Sequence, residues 1–196
     1  MDLLLIRHAL PMRVEQSEGP ADPELAPAGW QQAGRLAAWL ASEGIDAVYS
    51  SPLRRALQTA EPLAEVTGHA VRVVDGLAEW DRQASSYIPI EELQAAGDPV
   101  WKSLAAGALH ELGVDAPSFQ GRVVESVASI VADHPGETVA AVCHGGVLNA
   151  YLANVLGIDR VLFYAPDYTC INRVRISGSG VRSVRTLNET PHLRGT

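Results

Sequence analysis

Thr138-Val139-Ala140-Ala141-Val142-Cys143-His144-Gly145-Gly146-Val147 holds the passage from one kind of buried element to another. Thr138 to Val142 is strongly apolar with no polar alternation, the pattern of a strand covered on both faces. Polarity appears only at His144, and beyond the glycine pair an apolar helix runs to about Leu156. A doubly covered strand feeding a helix is the unit of a parallel sheet.

The same rhythm recurs along the chain. Leu3-Leu4-Leu5-Ile6 is a second short apolar strand, closed by Arg7-His8. From about Ala28 to Ser42, Trp30, Ala33, Leu36, Ala37 and Leu40 recur at three- and four-residue spacing and define one helix face. Gly44 stops that helix, and Ala47-Val48-Tyr49 reads as the next strand. Pro52 suits the first turn of a helix through Leu53, Leu57 and Leu63. Val71 to Val74 is a further strand, and Val123, Val127, Ile130 and Val131 mark a helix from Phe119 to Val131. Thr169 to Ile176 and Val181 to Leu187, joined by Ser177-Gly178-Ser179-Gly180, read as a closing hairpin. Alternation of this kind predicts a three-layer α/β/α sandwich on a mostly parallel sheet. The stretch from about Trp80 to Gly113 lacks the rhythm and reads as an insertion or cap on a single domain spanning residues 1–196.

Composition narrows the function. The chain has 196 residues, 47% hydrophobic and 19% charged, which describes a globular protein rather than a disordered one. A net charge of −8 excludes broad electrostatic binding to nucleic acid or an anionic membrane, and leaves any anionic substrate dependent on a local positive pocket. Cys143 and Cys170 show no CxxC spacing and read as free buried thiols of a reducing compartment. The apolar run at Leu3–Ile6 is too short for a signal-peptide core, so a cytoplasmic protein is expected. A homodimer through an apolar edge is left open.

Chemistry concentrates where ligands sit in such folds, outside the carboxyl ends of the strands. Arg7-His8, Ser50-Ser51-Pro52-Leu53-Arg54-Arg55 and His144-Gly145-Gly146 each follow a strand. Two histidines, two or three arginines and the N-terminus of a helix starting at Gly145 would therefore meet at one edge, with glycines that let an anion approach the backbone. The set reads as an oxyanion or phosphate pocket made without metal or cofactor.

The motifs resemble those of the histidine phosphatase superfamily, the phosphoglycerate mutase-like fold, in its branch of small phosphatases. They are Leu5-Ile6-Arg7-His8, then Ser51-Pro52-Leu53-Arg54-Arg55-Ala56-Leu57-Gln58-Thr59-Ala60, then Val142-Cys143-His144-Gly145-Gly146-Val147, with Asp22-Pro23-Glu24-Leu25 and Gly29 as a lesser match. The resemblance implies a phosphomonoesterase working through phosphohistidine at His8 on a small phosphorylated substrate. It implies that Arg7, Arg55 and His144, with Gly145, hold the phosphoryl oxygens, and that Glu79 of Leu77-Ala78-Glu79 is the proton donor, with Asp81 as its alternate. The chain departs from the pattern at Ala9 and Val14, where the family often carries glycine and asparagine, and Arg13 is a candidate replacement. Mutase-type transfer and a binding protein with weak catalysis are the competing expectations. Arg54 and the histidines at 69, 110 and 134 read as surface residues, His192 as structural, and Ser51 as a helix cap. Trp80, Arg82, Tyr87 and Trp101 are candidates for the pocket mouth.

Overall fold

The computed structural model describes residues 1–194. Its centre is a six-stranded sheet of β1 (Asp2–Arg7), β2 (Ala47–Ser50), β3 (Val71–Val73), β4 (Thr138–Cys143), β5 (Ile171–Ile176) and β6 (Arg182–Glu189), in the order β3-β2-β4-β1-β5-β6. The first four are parallel; β5 and β6 close the far edge antiparallel, as the hairpin pattern predicts.

Both faces are covered because both carry apolar side chains. Leu4 and Ile6 of β1, with Val48, Ala140 and Val142, face the helices α1 (Pro27–Leu40) and α2 (Arg54–Thr67). Leu3 and Leu5, with Val139, Ala141 and Cys143, face two other helices, numbered here α5 (Ala116–Asp133) and α6 (Gly145–Leu156). Between them in sequence come α3 (Ile90–Ala96) and α4 (Pro99–Ala106), short helices within the arrhythmic stretch. Side chains alternate along each central strand, so one apolar run feeds two cores. Among the described residues no helix is long and apolar enough to cross a membrane.

Three details differ from the periodicity reading. Pro52 lies outside α2, which begins at Arg54 after an extended Leu53. The Asp22 carboxylate accepts the Arg54 N–H at 2.8 Å and terminates that helix from outside it. Trp30 is exposed, and the face of α1 against the core is Gly29, Ala33, Leu36, Ala37 and Leu40. A Cβ on Gly29 would stand 2.1 Å from the Leu10 carbonyl oxygen, so the helix turns its glycine, not its tryptophan, toward the chain that follows β1. His134 is buried rather than on the surface, because Tyr49 Oη at 2.9 Å and the Glu137 carboxylate engage its two ring nitrogens.

The Gly29 contact gives a stability test. Gly29→Ala should lower unfolding free energy by about 1–3 kcal/mol in urea titration, since backbone cannot move aside as a side chain can. Gly34→Ala on the same helix meets nothing within 4 Å and should stabilise by about 0.5–1 kcal/mol. Equal effects at the two positions would show that the Leu10 contact is not the constraint.

Candidate active site

The pairing of β1 with β4 sets Arg7 opposite Cys143, so His8 and His144 leave the sheet side by side. Their ring centroids are 5.0 Å apart. The pairing of β2 with β4 sets Ser50 opposite Val142 and brings Ser51 level with the same point. Ser51 Oγ lies 2.7 Å from His144 Nε2 and accepts the Leu53 N–H, so it ties a ring as well as shaping the turn before α2. Arg55 comes in on the first turn of α2, and Glu79 follows a short 3₁₀ turn, Asp75–Leu77, after β3. Arg7, His8, Arg55, Glu79 and His144 are all buried.

His8 is poised in one tautomer. Its Nδ1–H donates to the carbonyl of Ala9 at 2.8 Å, which leaves Nε2 without a proton. Burial, then the charges of Arg55 and Arg7, hold its pKa well below the usual histidine value, against the pull of the Ala9 carbonyl. The Ala9 carbonyl is itself positioned, because the Ala9 N–H donates to Thr59 Oγ1, whose hydroxyl donates to the Arg55 carbonyl one turn back. His144 is likewise neutral, for burial lowers its pKa first and Arg55, His8 and Arg7 add to that. The positive charge expected of His144 is therefore carried by the arginines.

Both arginines are held from behind. Arg7 Nη1 donates to the Pro166 carbonyl at 2.6 Å, and its guanidinium stacks on Tyr168 at 3.8 Å. Arg55 sits over the ring of Tyr87 at 4.6 Å, with Asp81 at 3.5 Å. Tyr168 and Pro166 belong to the loop between α6 and β5. Buried Asn149 latches that loop by accepting from the Phe163 and Tyr164 amides, and Asn172 accepts from Tyr164 Oη. After this support, Arg7 Nε, Arg55 Nε and His144 Nδ1 remain buried without a hydrogen-bond partner in the structure. Three such nitrogens in one cluster are an unusual cost unless an oxyanion takes them.

Glu79 occupies the start of α6. Its Oε2 accepts from the Gly146 N–H at 2.7 Å and its Oε1 from the Trp80 N–H at 3.1 Å. A Cβ on Gly146 would lie 2.3 Å from Glu79 Oε1, so this glycine makes room for the carboxyl group rather than for phosphate. Gly145, by contrast, has only Pro166 and Arg7 near its missing Cβ, at 3.5 and 3.9 Å. Burial raises the Glu79 pKa to about 7, with Asp81 pushing the same way and the two amides and Arg55 opposing. Burial also raises Asp81, against Arg55.

Of the mouth candidates, Tyr87 stands against Arg55 and Trp80 packs beside Gly146. Arg82 turns away to a paired contact with Asp75 at 2.9 Å, and half-buried Trp101 sits on α4. Arg13 pairs with Glu92 and Glu15, so it does not supply a replacement contact. Arg54 is exposed against Glu24, and His192 hydrogen-bonds to Thr169 at 2.9 Å, both as read from the sequence. Tyr168, Glu91, Asn149 and Asn172 were not singled out, since none lies in a motif; an aromatic just before the closing hairpin was the one available signal.

Known proteins resemble the chain along most of its length. The chain is 31% identical over 202 residues to a bifunctional protein of Mycobacterium tuberculosis, covering 97% of this chain and 54% of that protein. It thus spans about half the length of the first curated relatives it matches. A phosphoserine phosphatase of Hydrogenobacter thermophilus is 30% identical over 168 residues, 83% of this chain and 80% of that one. A phosphoserine phosphatase mutant from Entamoeba histolytica, solved with phosphoserine, shares the fold with a TM-score of 0.78 at 24% identity, covering 98% of both chains. The family model described as histidine phosphatase superfamily, branch 1, matches residues 3–190, and the chain belongs to that family.

Proposed function

We propose that the protein is a phosphomonoesterase that transfers the phosphoryl group of a small substrate to His8 and then to water, without a metal ion. The observation that carries this reading is the trio of unpartnered buried nitrogens beside a histidine held neutral with Nε2 free. Arg7 Nε, Arg55 Nε and His144 Nδ1 would donate to the phosphoryl oxygens, where fixed positive charge and N–H groups count most because water is excluded. His8 Nε2 forms the bond to phosphorus as the ester P–O bond breaks. Glu79 gives its proton to the departing alkoxide, then takes one from the water that cleaves phosphohistidine. A pKa of about 7 suits both duties. Gly145, whose missing Cβ would meet Pro166 and Arg7 Nε only in ordinary contact at 3.5 and 3.9 Å, would let the anion approach the start of α6. We read residues 80–113 as a cap on a single domain, and the two free buried thiols fit a cytoplasmic setting.

Replacement of the nucleophile and of the acid should separate the two half-reactions. His8→Ala should abolish turnover and the alkali-stable phosphoenzyme formed from a radiolabelled ester. Glu79→Gln should lower kcat/KM for an alkyl phosphate by about 10²–10³, the size of a lost general acid. With p-nitrophenyl phosphate, whose leaving group needs no proton, the same variant should give a burst of one equivalent followed by slow turnover. Activity surviving His8→Ala, or lost with EDTA and restored by a divalent ion, would overturn the mechanism.

The pH profile follows from the two groups with opposite requirements. Glu79 must be protonated, so kcat/KM for an alkyl phosphate should fall as pH rises through about 7. His8 must be neutral, and its depressed pKa places the acidic limb well below the usual histidine range. In Glu79→Gln the alkaline limb near 7 should vanish; its persistence would assign it to another group.

A further inference from the structure

The side chains that hold Arg7 include one that a phosphate pocket does not need. Glu91 of α3 places Oε1 3.6 Å from Arg7 Nη1, and its Oε2 accepts from Tyr168 Oη at 3.0 Å. Arg7 is buried, whereas the Glu91 side chain is half exposed, so the pair joins a buried cation to a carboxylate that solvent reaches. Tyr168 lies under Arg7 and beside His8, with ring centroids 5.7 Å apart, so one ring touches Arg7, His8 and, through its hydroxyl, Glu91.

Charge bookkeeping around this point does not close. Arg7 faces Glu91, and Arg55 faces Asp81, so each pocket cation already has an acidic neighbour. A phosphate dianion that engages Arg7 Nε and Arg55 Nε draws on the same two charges. Asp81 can relieve its share by protonation, since burial raises its pKa. The Glu91 side chain is half exposed, and its other contact is the neutral Tyr168 hydroxyl. Nor does the other nearby cation help, because Arg13 is committed to Glu92 and Glu15.

Resting on the phosphatase reading, we propose that Glu91 is a specificity-determining residue that selects phosphomonoesters whose leaving group carries an ammonium, and disfavours those carrying a second anion. The substrate's own cation supplies the charge that phosphate withdraws from Arg7, and a carboxylate in its place meets Glu91 with like sign. Discrimination comes from the repulsive contact as much as from the attractive one.

Three esters of nearly equal size test this: O-phosphoethanolamine, propyl phosphate and 2-phosphoglycolate, read by phosphate release. The unmodified enzyme should rank them in that order by kcat/KM, with at least about tenfold between first and last. Glu91→Gln should shrink the ratio of first to last by about fivefold, the upper range for a partly exposed ion pair, and Glu91→Lys should invert it. Both esters are read on the same variant, so a general loss from a disturbed Arg7 cancels in the ratio. A ratio unchanged in Glu91→Gln and Glu91→Lys overturns the assignment of Glu91 while leaving the phosphatase reading intact. No hydrolysis of any of the three, nor of p-nitrophenyl phosphate, overturns both.

Discussion

The parallel register between β1 and β4 is the constraint on which the rest of the site depends. Leu3 through Arg7 pair in step with Val139 through Cys143, and that step alone sets His8 beside His144. The register is strongly determined because both faces of both strands are buried. A slip of one residue would swap the side chains facing α1 and α2 with those facing α5 and α6 throughout β1. The same argument extends to β2, whose pairing with β4 brings Ser51 to His144 and lets α2 deliver Arg55. The geometry of the candidate site is a by-product of two apolar cores that must both close.

Desolvation sets the protonation states within that geometry. Both histidines lose their charged form chiefly to burial, with the arginines adding to the effect. Burial and the charge of Asp81 raise the Glu79 pKa to about 7, outweighing the two backbone amides and Arg55, which favour the anion. The arginines, which do not titrate in this range, remain the fixed positive charge. They place two buried cations at the strand ends of a chain whose net charge is −8.

The order of strands and helices was legible because buried strands and amphipathic helices leave periodic traces. The central groups were legible because they follow strand ends: Arg7 and His8, Arg55, and His144. Where the reading went astray, a single close contact had overruled periodicity. Trp30 fits the helical spacing, yet Gly29 faces inward because the Leu10 carbonyl leaves no room for a Cβ. Gly146 looks like an anion-binding glycine, yet its space is taken by Glu79. His134 stands beside a proline in what reads as a turn, but a tyrosine from β2 and a glutamate three residues on draw it under the surface.

The sequence alone determined the layered α/β architecture and the identity of the groups at the strand ends, since both depend on residue type and short spacing. Tertiary structure decided what surrounds those groups. Tyr168 beneath Arg7, Glu91 beside it, the Asn149 and Asn172 latches on their loop, and Glu79 on the start of α6 join segments far apart in the chain. No local pattern encodes such pairs. The depressed pKa of His8 and the raised pKa of Glu79 are decided there too, because desolvation is a property of everything packed around a group and not of its neighbours in sequence.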